Sequence, residues 1–289
     1  MVKMRFIWSL VFFLFLINGC GSSGTDTEGK EENVRESLSF IAWDGIGVYE
    51  GVHSRLHDGY TLSTLYLNPL ENGENSFVAN SEVLQSDGVD VWYLISAVTP
   101  YPSDEYIEEQ IQIIEHYNAT HTKNILGISF DVEPWITFAE QNTTQNQEAW
   151  QEYLDFLARM DEMLKEKNLQ TSVMIPFWLD TISEAFVTQK PLNDEVIDRV
   201  DEVVVMAYSN QIKNILSYAQ SSLSYAQEVH KKVKIAVEMV ASETDSISFY
   251  ENPQDIQLLL QTPVSYTSFD GYVIHTLDAF YESGVELPF

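Results

Sequence analysis

The chain has 289 residues, 45% of them hydrophobic, with one cysteine and 15 basic against 44 acidic side chains, a formal net charge of −29 at pH 7. A single cysteine excludes an intramolecular disulfide and zinc sites built from several cysteines. The negative field repels phosphate backbones and anionic lipid surfaces, so the composition argues against nucleic acid as a partner.

In chain order, Lys3 and Arg5 precede an apolar run from Phe6 to Ile17, which ends in Asn18-Gly19-Cys20. That layout predicts a signal peptide, too short to span a bilayer. The small residue before Cys20, with a branched aliphatic three positions ahead, resembles the lipobox of bacterial lipoproteins. The resemblance implies that Cys20 becomes the lipidated first residue of the mature chain, which would be exported and held at the outward face of a membrane. Residues 20–37 are mostly Gly, Ser, Thr, Glu, Lys and Asn, with almost nothing to bury, and read as a flexible tether. Residues 38–289 are then expected to form one domain.

Within that domain short β-branched and aromatic runs recur near Phe40–Trp43, Thr61–Leu67, Val89–Ala97, Ile125–Glu133, Thr171–Trp178, Glu202–Ser209, Val233–Met239 and Gly271–Thr276. Three intervening segments carry apolar residues at helical spacing. Behind Ser103 these are Tyr106, Ile107, Ile111, Ile114 and Tyr117. A longer stripe runs through Trp150, Tyr153, Leu154, Leu157, Met160 and Leu164. A third comprises Ile212, Ile215, Leu216, Ala219, Leu223 and Ala226. Eight strands alternating with helices predict an α/β fold, a single-domain (β/α)₈ TIM barrel. The first two connections, Asp44–Tyr60 and Asn68–Gly88, read as less clearly helical, so irregularity is expected there. Gly-rich phosphate loops, Gly-x-Ser-x-Gly and His-Glu-x-x-His are absent from the sequence, and no cofactor is expected.

In such a barrel the reactive groups stand at the C-terminal strand ends, and alternate residues face inward. On strand four, Asp131 and Glu133 share the inward face with Gly127 and Ser129. Two carboxylates so close repel when both are ionised. One of them should therefore hold a proton near neutral pH, as a general acid for glycosidic cleavage must. Tyr208 on strand six, Glu238 on strand seven and His275 on strand eight are also expected at the inward rim. Strands four and seven lie across the mouth from each other, so Glu238 is a candidate nucleophile or base opposite Glu133. A structural alternative for Glu238 is an ion pair with Lys234. Trp43, Trp92, Trp135, Phe177 and Trp178 fall at or near strand ends, where flat rings suit the C–H faces of sugars.

Leu126-Gly127-Ile128-Ser129-Phe130-Asp131-Val132-Glu133 resembles the strand-four signature of glycoside hydrolase family 18, Asp-Gly-x-Asp-x-Asp-x-Glu, and Met206-Ala207-Tyr208-Ser209 resembles its strand-six Met-x-Tyr-Asp. The resemblance implies that Glu133 is the acid, that Asp131 orients the substrate acetamido group and that Tyr208 supports the oxazolinium formed by the substrate itself. Leu126, Ser129 and Ser209 depart from that pattern. Glu133-Pro134 and Glu238 also resemble the retaining glycosidases of clan A, with Glu133 as acid/base and Glu238 as nucleophile, although Val132 stands where that clan has Asn. Three functional expectations follow. The first is a glycosidase acting on an oligo- or polysaccharide. The second is a metal-dependent hydrolase or isomerase using Asp131, Glu133, Glu238 and His275 as ligands. The third is a glycan-binding surface protein without turnover.

Overall fold

The computed structural model of the chain describes residues 36–56, 60–69, 73–98, 101–138, 143–182, 190–242 and 246–287. The signal peptide, Cys20 and all but the end of the tether lie outside the described residues. No described helix is long and apolar enough to cross a membrane.

Eight strands form a closed barrel in sequence order: β1 (Glu36–Ala42), β2 (Tyr60–Leu67), β3 (Asp90–Ala97), β4 (Gly127–Val132), β5 (Gln170–Pro176), β6 (Glu202–Met206), β7 (Lys232–Glu238) and β8 (Phe269–His275). Every neighbouring pair is parallel, and β8 returns to β1. Strands covered on both faces need apolar residues on both. In β6 the run Val203-Val204-Val205 is buried throughout.

The outer layer comprises α1 (Tyr49–Arg55), α2 (Gly73–Ser86), α3 (Asp104–Thr120), the single turn α4 (Trp135–Phe138), α5 (Thr143–Lys165), α6 (Leu192–Arg199), α7 (Ile212–Val229), α8 (Ile256–Leu260) and α9 (Leu277–Ser283). The Ser103 hydroxyl caps α3, accepting from the Tyr106 amide at 3.2 Å. The Trp150-to-Leu164 stripe of α5 is buried along its length.

The second connection is more regular than its sequence suggests. Of the 14 residues in α2, the inward stripe Phe77, Ser81, Leu84 and Gln85 keeps helical spacing, but two of its members are polar. Gln85 accepts from the Tyr117 hydroxyl and donates to the Asn124 carbonyl, so its amide is satisfied inside and hydrophobicity alone cannot reveal the stripe. Strand boundaries shift as well. Phe177 and Trp178 leave the sheet in a 3₁₀ turn (Phe177–Thr181), and β6 stops at Met206, two residues before Tyr208.

Gly127 opens β4 where no side chain fits. A Cβ there would lie 1.9 Å from the Gln170 carbonyl oxygen on β5, and backbone cannot move aside cheaply. Gly127→Ala is expected to destabilise the barrel by about 1–3 kcal/mol, the usual cost of overpacking, read as a lower denaturant midpoint at unchanged slope.

The N-terminal half of the barrel interior is polar and self-contained. Glu202 of β6 accepts from the Tyr66 hydroxyl (2.6 Å) and the Ser172 hydroxyl (3.0 Å), and faces Lys234 of β7 at 3.6 Å. Lys234 also pairs with Asp270 of β8 at 2.7 Å, and Ser129 donates to Ser172 at 3.3 Å. The partners of Lys234 are therefore Glu202 and Asp270 rather than Glu238. This network fills the floor of the barrel at the N-terminal strand ends.

Candidate active site

The inward positions at the C-terminal strand ends gather seven side chains. Strand alternation sends Phe130 outward, where its ring meets Phe156 of α5 edge-on at 5.6 Å, and turns Asp131 toward the barrel axis. Asp131 pairs in register with Ser96 of β3, whose hydroxyl donates to Oδ2 at 3.4 Å. Oδ1 is buried and accepts no hydrogen bond among the described residues. One residue past the strand, the Glu133 amide still donates to the Ala97 carbonyl at 2.8 Å, which continues the β3–β4 ladder and fixes where the side chain emerges.

Burial raises both carboxyls. Asp131 stands above the ordinary aspartate range because of desolvation, against the weaker downward pulls that a charged His275 would exert and that the Ser96 hydrogen bond exerts. Glu133 is pushed up to about 7, first by burial and next by the negative charge of Asp131, while a positive charge on His275 would act in the opposite direction. Tyr208 is held well above 10 by burial and then by Glu238, Asp131 and Glu133, so its hydroxyl remains a donor at neutral pH.

Glu238 ends β7 with both oxygens engaged. Oε1 accepts from the Val240 amide at 2.6 Å, and Oε2 lies 2.8 Å from His275 Nδ1. The loop behind it is fastened by the Ser248 hydroxyl, which donates to the Val240 carbonyl at 2.6 Å. His275 Nε2 faces the indole N–H of Trp43 at 2.9 Å, and the His275 ring stacks on Tyr208 with centroids 6.1 Å apart.

The aromatic residues separate into different roles. Trp43, Phe177 and Trp178 are half-buried at strand ends. Trp92 is 2% exposed and stacks on Tyr66 deep in the barrel, so it is a core residue with no face to offer a sugar. Trp135 is buried against Trp150, Tyr153 and Trp178, which leaves little of its ring for a sugar. Trp43 spends its N–H on His275. Sequence reasoning missed Ser96; its alternation with Trp92 and Leu94 on β3, and its register with Asp131, were the available clue.

The alternative metal reading finds no ligand set. Among the described residues no group of three His, Cys, Asp or Glu side chains converges as metal ligands would, and both ring nitrogens of His275 already have partners. The arrangement offers instead a carboxyl that keeps its proton to about pH 7, a neighbouring carboxyl with a free oxygen and a tyrosine donor.

No protein-family model and no curated relative matches the sequence. Solved structures do share its barrel. A chitinase from Chromobacterium violaceum has a TM-score of 0.52 at 10% identity, over 86% of this chain and 97% of that one. A GH18 chitinase from Pseudoalteromonas aurantia has a TM-score of 0.53 at 13% identity, over 86% and 96%. A GH18 chitinase from Cycas revoluta, solved in complex with (GlcNAc)3, has a TM-score of 0.54 at 12% identity, over 85% and 96%. At these identities the likeness is one of fold: the chain has the (β/α)₈ barrel found in glycoside hydrolase family 18 chitinases.

Proposed function

We propose that the chain is a glycoside hydrolase that cleaves glycans containing N-acetylhexosamine, with Glu133 as general acid/base, Asp131 orienting the acetamido group and Tyr208 donating to the oxazolinium as it forms. The observation that carries this reading is the difference between the carboxylates. Asp131 has a buried oxygen without a partner beside a Glu133 that keeps its proton to about pH 7, whereas both oxygens of Glu238 are already hydrogen-bonded. The free Asp131 oxygen is suited to accept from an acetamido N–H. Glu238 is poorly suited to attack an anomeric carbon, which favours nucleophilic assistance by the substrate over a covalent glycosyl–enzyme intermediate.

In this mechanism the Glu133 proton passes to the glycosidic oxygen as the acetamido carbonyl closes on the anomeric carbon. Glu133, now a carboxylate, then takes a proton from the water that opens the oxazolinium. The shared barrel and the (GlcNAc)3 complex of the Cycas revoluta chitinase support this substrate class. Half-buried Trp43, Phe177 and Trp178 are proposed sugar contacts.

The test is hydrolysis of N-acetylglucosamine oligomers by the purified protein, together with the Glu238→Gln variant. Activity that survives Glu238→Gln and is inhibited by a thiazoline analogue of the oxazolinium supports substrate assistance. Abolition by Glu238→Gln and indifference to the thiazoline would support the covalent route instead. Tight glycan binding with no turnover of any oligomer would leave a binding protein.

The pH profile follows from the same groups. The acid form of Glu133 is required, so kcat/KM should fall as pH rises through about 7. Asp131→Asn removes the negative charge that helps hold that proton, so the alkaline limb should move to lower pH. A limb that stays in place in Asp131→Asn would show that the two carboxyls are not coupled.

For location, we propose that the protein is displayed outside the cell and tethered through lipid on Cys20. Cys20→Ser should release it from the membrane fraction, and retention of the variant there would refute the anchor.

A further inference from the structure

Trp43, His275 and Glu238 stand at the ends of β1, β8 and β7 and form one chain of hydrogen bonds, 2.9 Å from Trp43 to His275 and 2.8 Å from His275 to Glu238. An indole nitrogen can only donate. Nε2 of His275 must therefore accept, and the one proton of a neutral imidazole sits on Nδ1, where it donates to the Glu238 carboxylate. The ring is also fixed in orientation. Trp43 meets it edge-on at 84°, and Tyr208 stacks on it at 22°.

We propose that Trp43 and Glu238 lock His275 in the uncharged Nδ1–H tautomer, making it a positioning residue that stands beside Asp131 and Glu133 without drawing the catalytic proton off Glu133. Glu238 at the end of β7, Asp131 on β4 and Glu133 just past it act on the ring, against which Tyr208, just past β6, stacks, and each carboxylate favours a cation there. Trp43 opposes them. A second proton would have to go on Nε2, where it would face the indole N–H, donor against donor. Loss of the indole donor removes that opposition. The His275 cation would then favour the ionised form of Glu133, the wrong state for a general acid. This consequence rests on the proposed role of Glu133, whereas the lock rests on the three side chains alone.

Nitrogen-15 correlation spectra of the histidine rings read the lock without reference to activity. The His275 signals are identified by their disappearance in His275→Gln. At pH 7 the wild-type ring should show a protonated Nδ1 and a bare Nε2. In Trp43→Phe the doubly protonated ring should appear at pH values where the wild-type ring is still neutral, and the alkaline limb of kcat/KM should move to lower pH. A proton on Nε2 in the wild-type protein at pH 7 overturns the lock, even if Trp43→Phe does not fold. A cationic ring in Trp43→Phe with an unmoved alkaline limb overturns its effect on Glu133. The expected ring signature in a protein that hydrolyses no glycan confirms the lock and removes the glycosidase reading.

Discussion

Glu133→Gln should lower kcat on an N-acetylglucosamine oligomer by roughly 10²–10⁴-fold, the span that positioned general acids contribute, with little change in KM. Glutamine keeps the shape of the side chain, and the hydrogen bond from the Glu133 N–H to the Ala97 carbonyl, which fixes where the side chain emerges, is made by backbone. What is lost is the transferable proton, which burial and the Asp131 charge hold on the carboxyl up to about pH 7. A graded substrate pair separates this chemistry from simple disruption. An aryl glycoside with an acidic phenol leaves with little protonation, so the penalty on it should be much smaller than on a sugar leaving group. Equal penalties on both substrates would mean that Glu133 does not act as the proton donor. The variant should also lose the alkaline limb near 7, because the group that titrates there is gone.

Legibility in the sequence followed the physics of each position. Strand alternation placed Asp131, Glu133, Tyr208, Glu238 and His275 at one end of the barrel because inward residues of parallel strands repeat every two positions, and the buried strands left few other polar residues at their ends. The roles of the aromatics were not legible in this way. Trp92 and Trp43 both read as strand residues in the sequence, but Trp92 sits on β3 below the rim against Tyr66, while Trp43 lies just past β1 beside His275. Only the register and stagger of the barrel set that depth. The partners of Lys234 were hidden for the same reason. Pairing to Glu202 and Asp270 needs β6, β7 and β8 side by side at their N-terminal ends, whereas Glu238, four residues along the same strand, lies nearer in sequence and farther up the barrel. The α2 stripe escaped because two of its buried members, Ser81 and Gln85, are polar, and the Gln85 amide is satisfied by tertiary contacts.

The second large effect belongs to the floor of the barrel. Lys234→Met should destabilise the fold by about 3–5 kcal/mol, the range seen when one partner of a buried ion pair is removed. Met matches the length of the Lys stem, so packing survives while the charge does not. Glu202 is 8% exposed, and its pKa is already raised by burial despite the opposing charge of Lys234. Without the cation, Glu202 must either remain charged in a desolvated site or take up a proton, and the Tyr66 and Ser172 hydroxyls compensate only in part. Denaturant unfolding measures the loss. Lys234→Met combined with Glu202→Gln should recover part of it, since the double variant leaves no buried charge at that position. If the double variant is instead as unstable as the sum of the two single variants, the pair does not act as a unit. The alkaline limb of kcat/KM should not move in Lys234→Met, because the Glu202 network lies at the opposite end of the barrel interior from Asp131, Glu133 and His275. A change in stability without a change in the limb would separate the residues that hold the barrel closed from those that hold the proton.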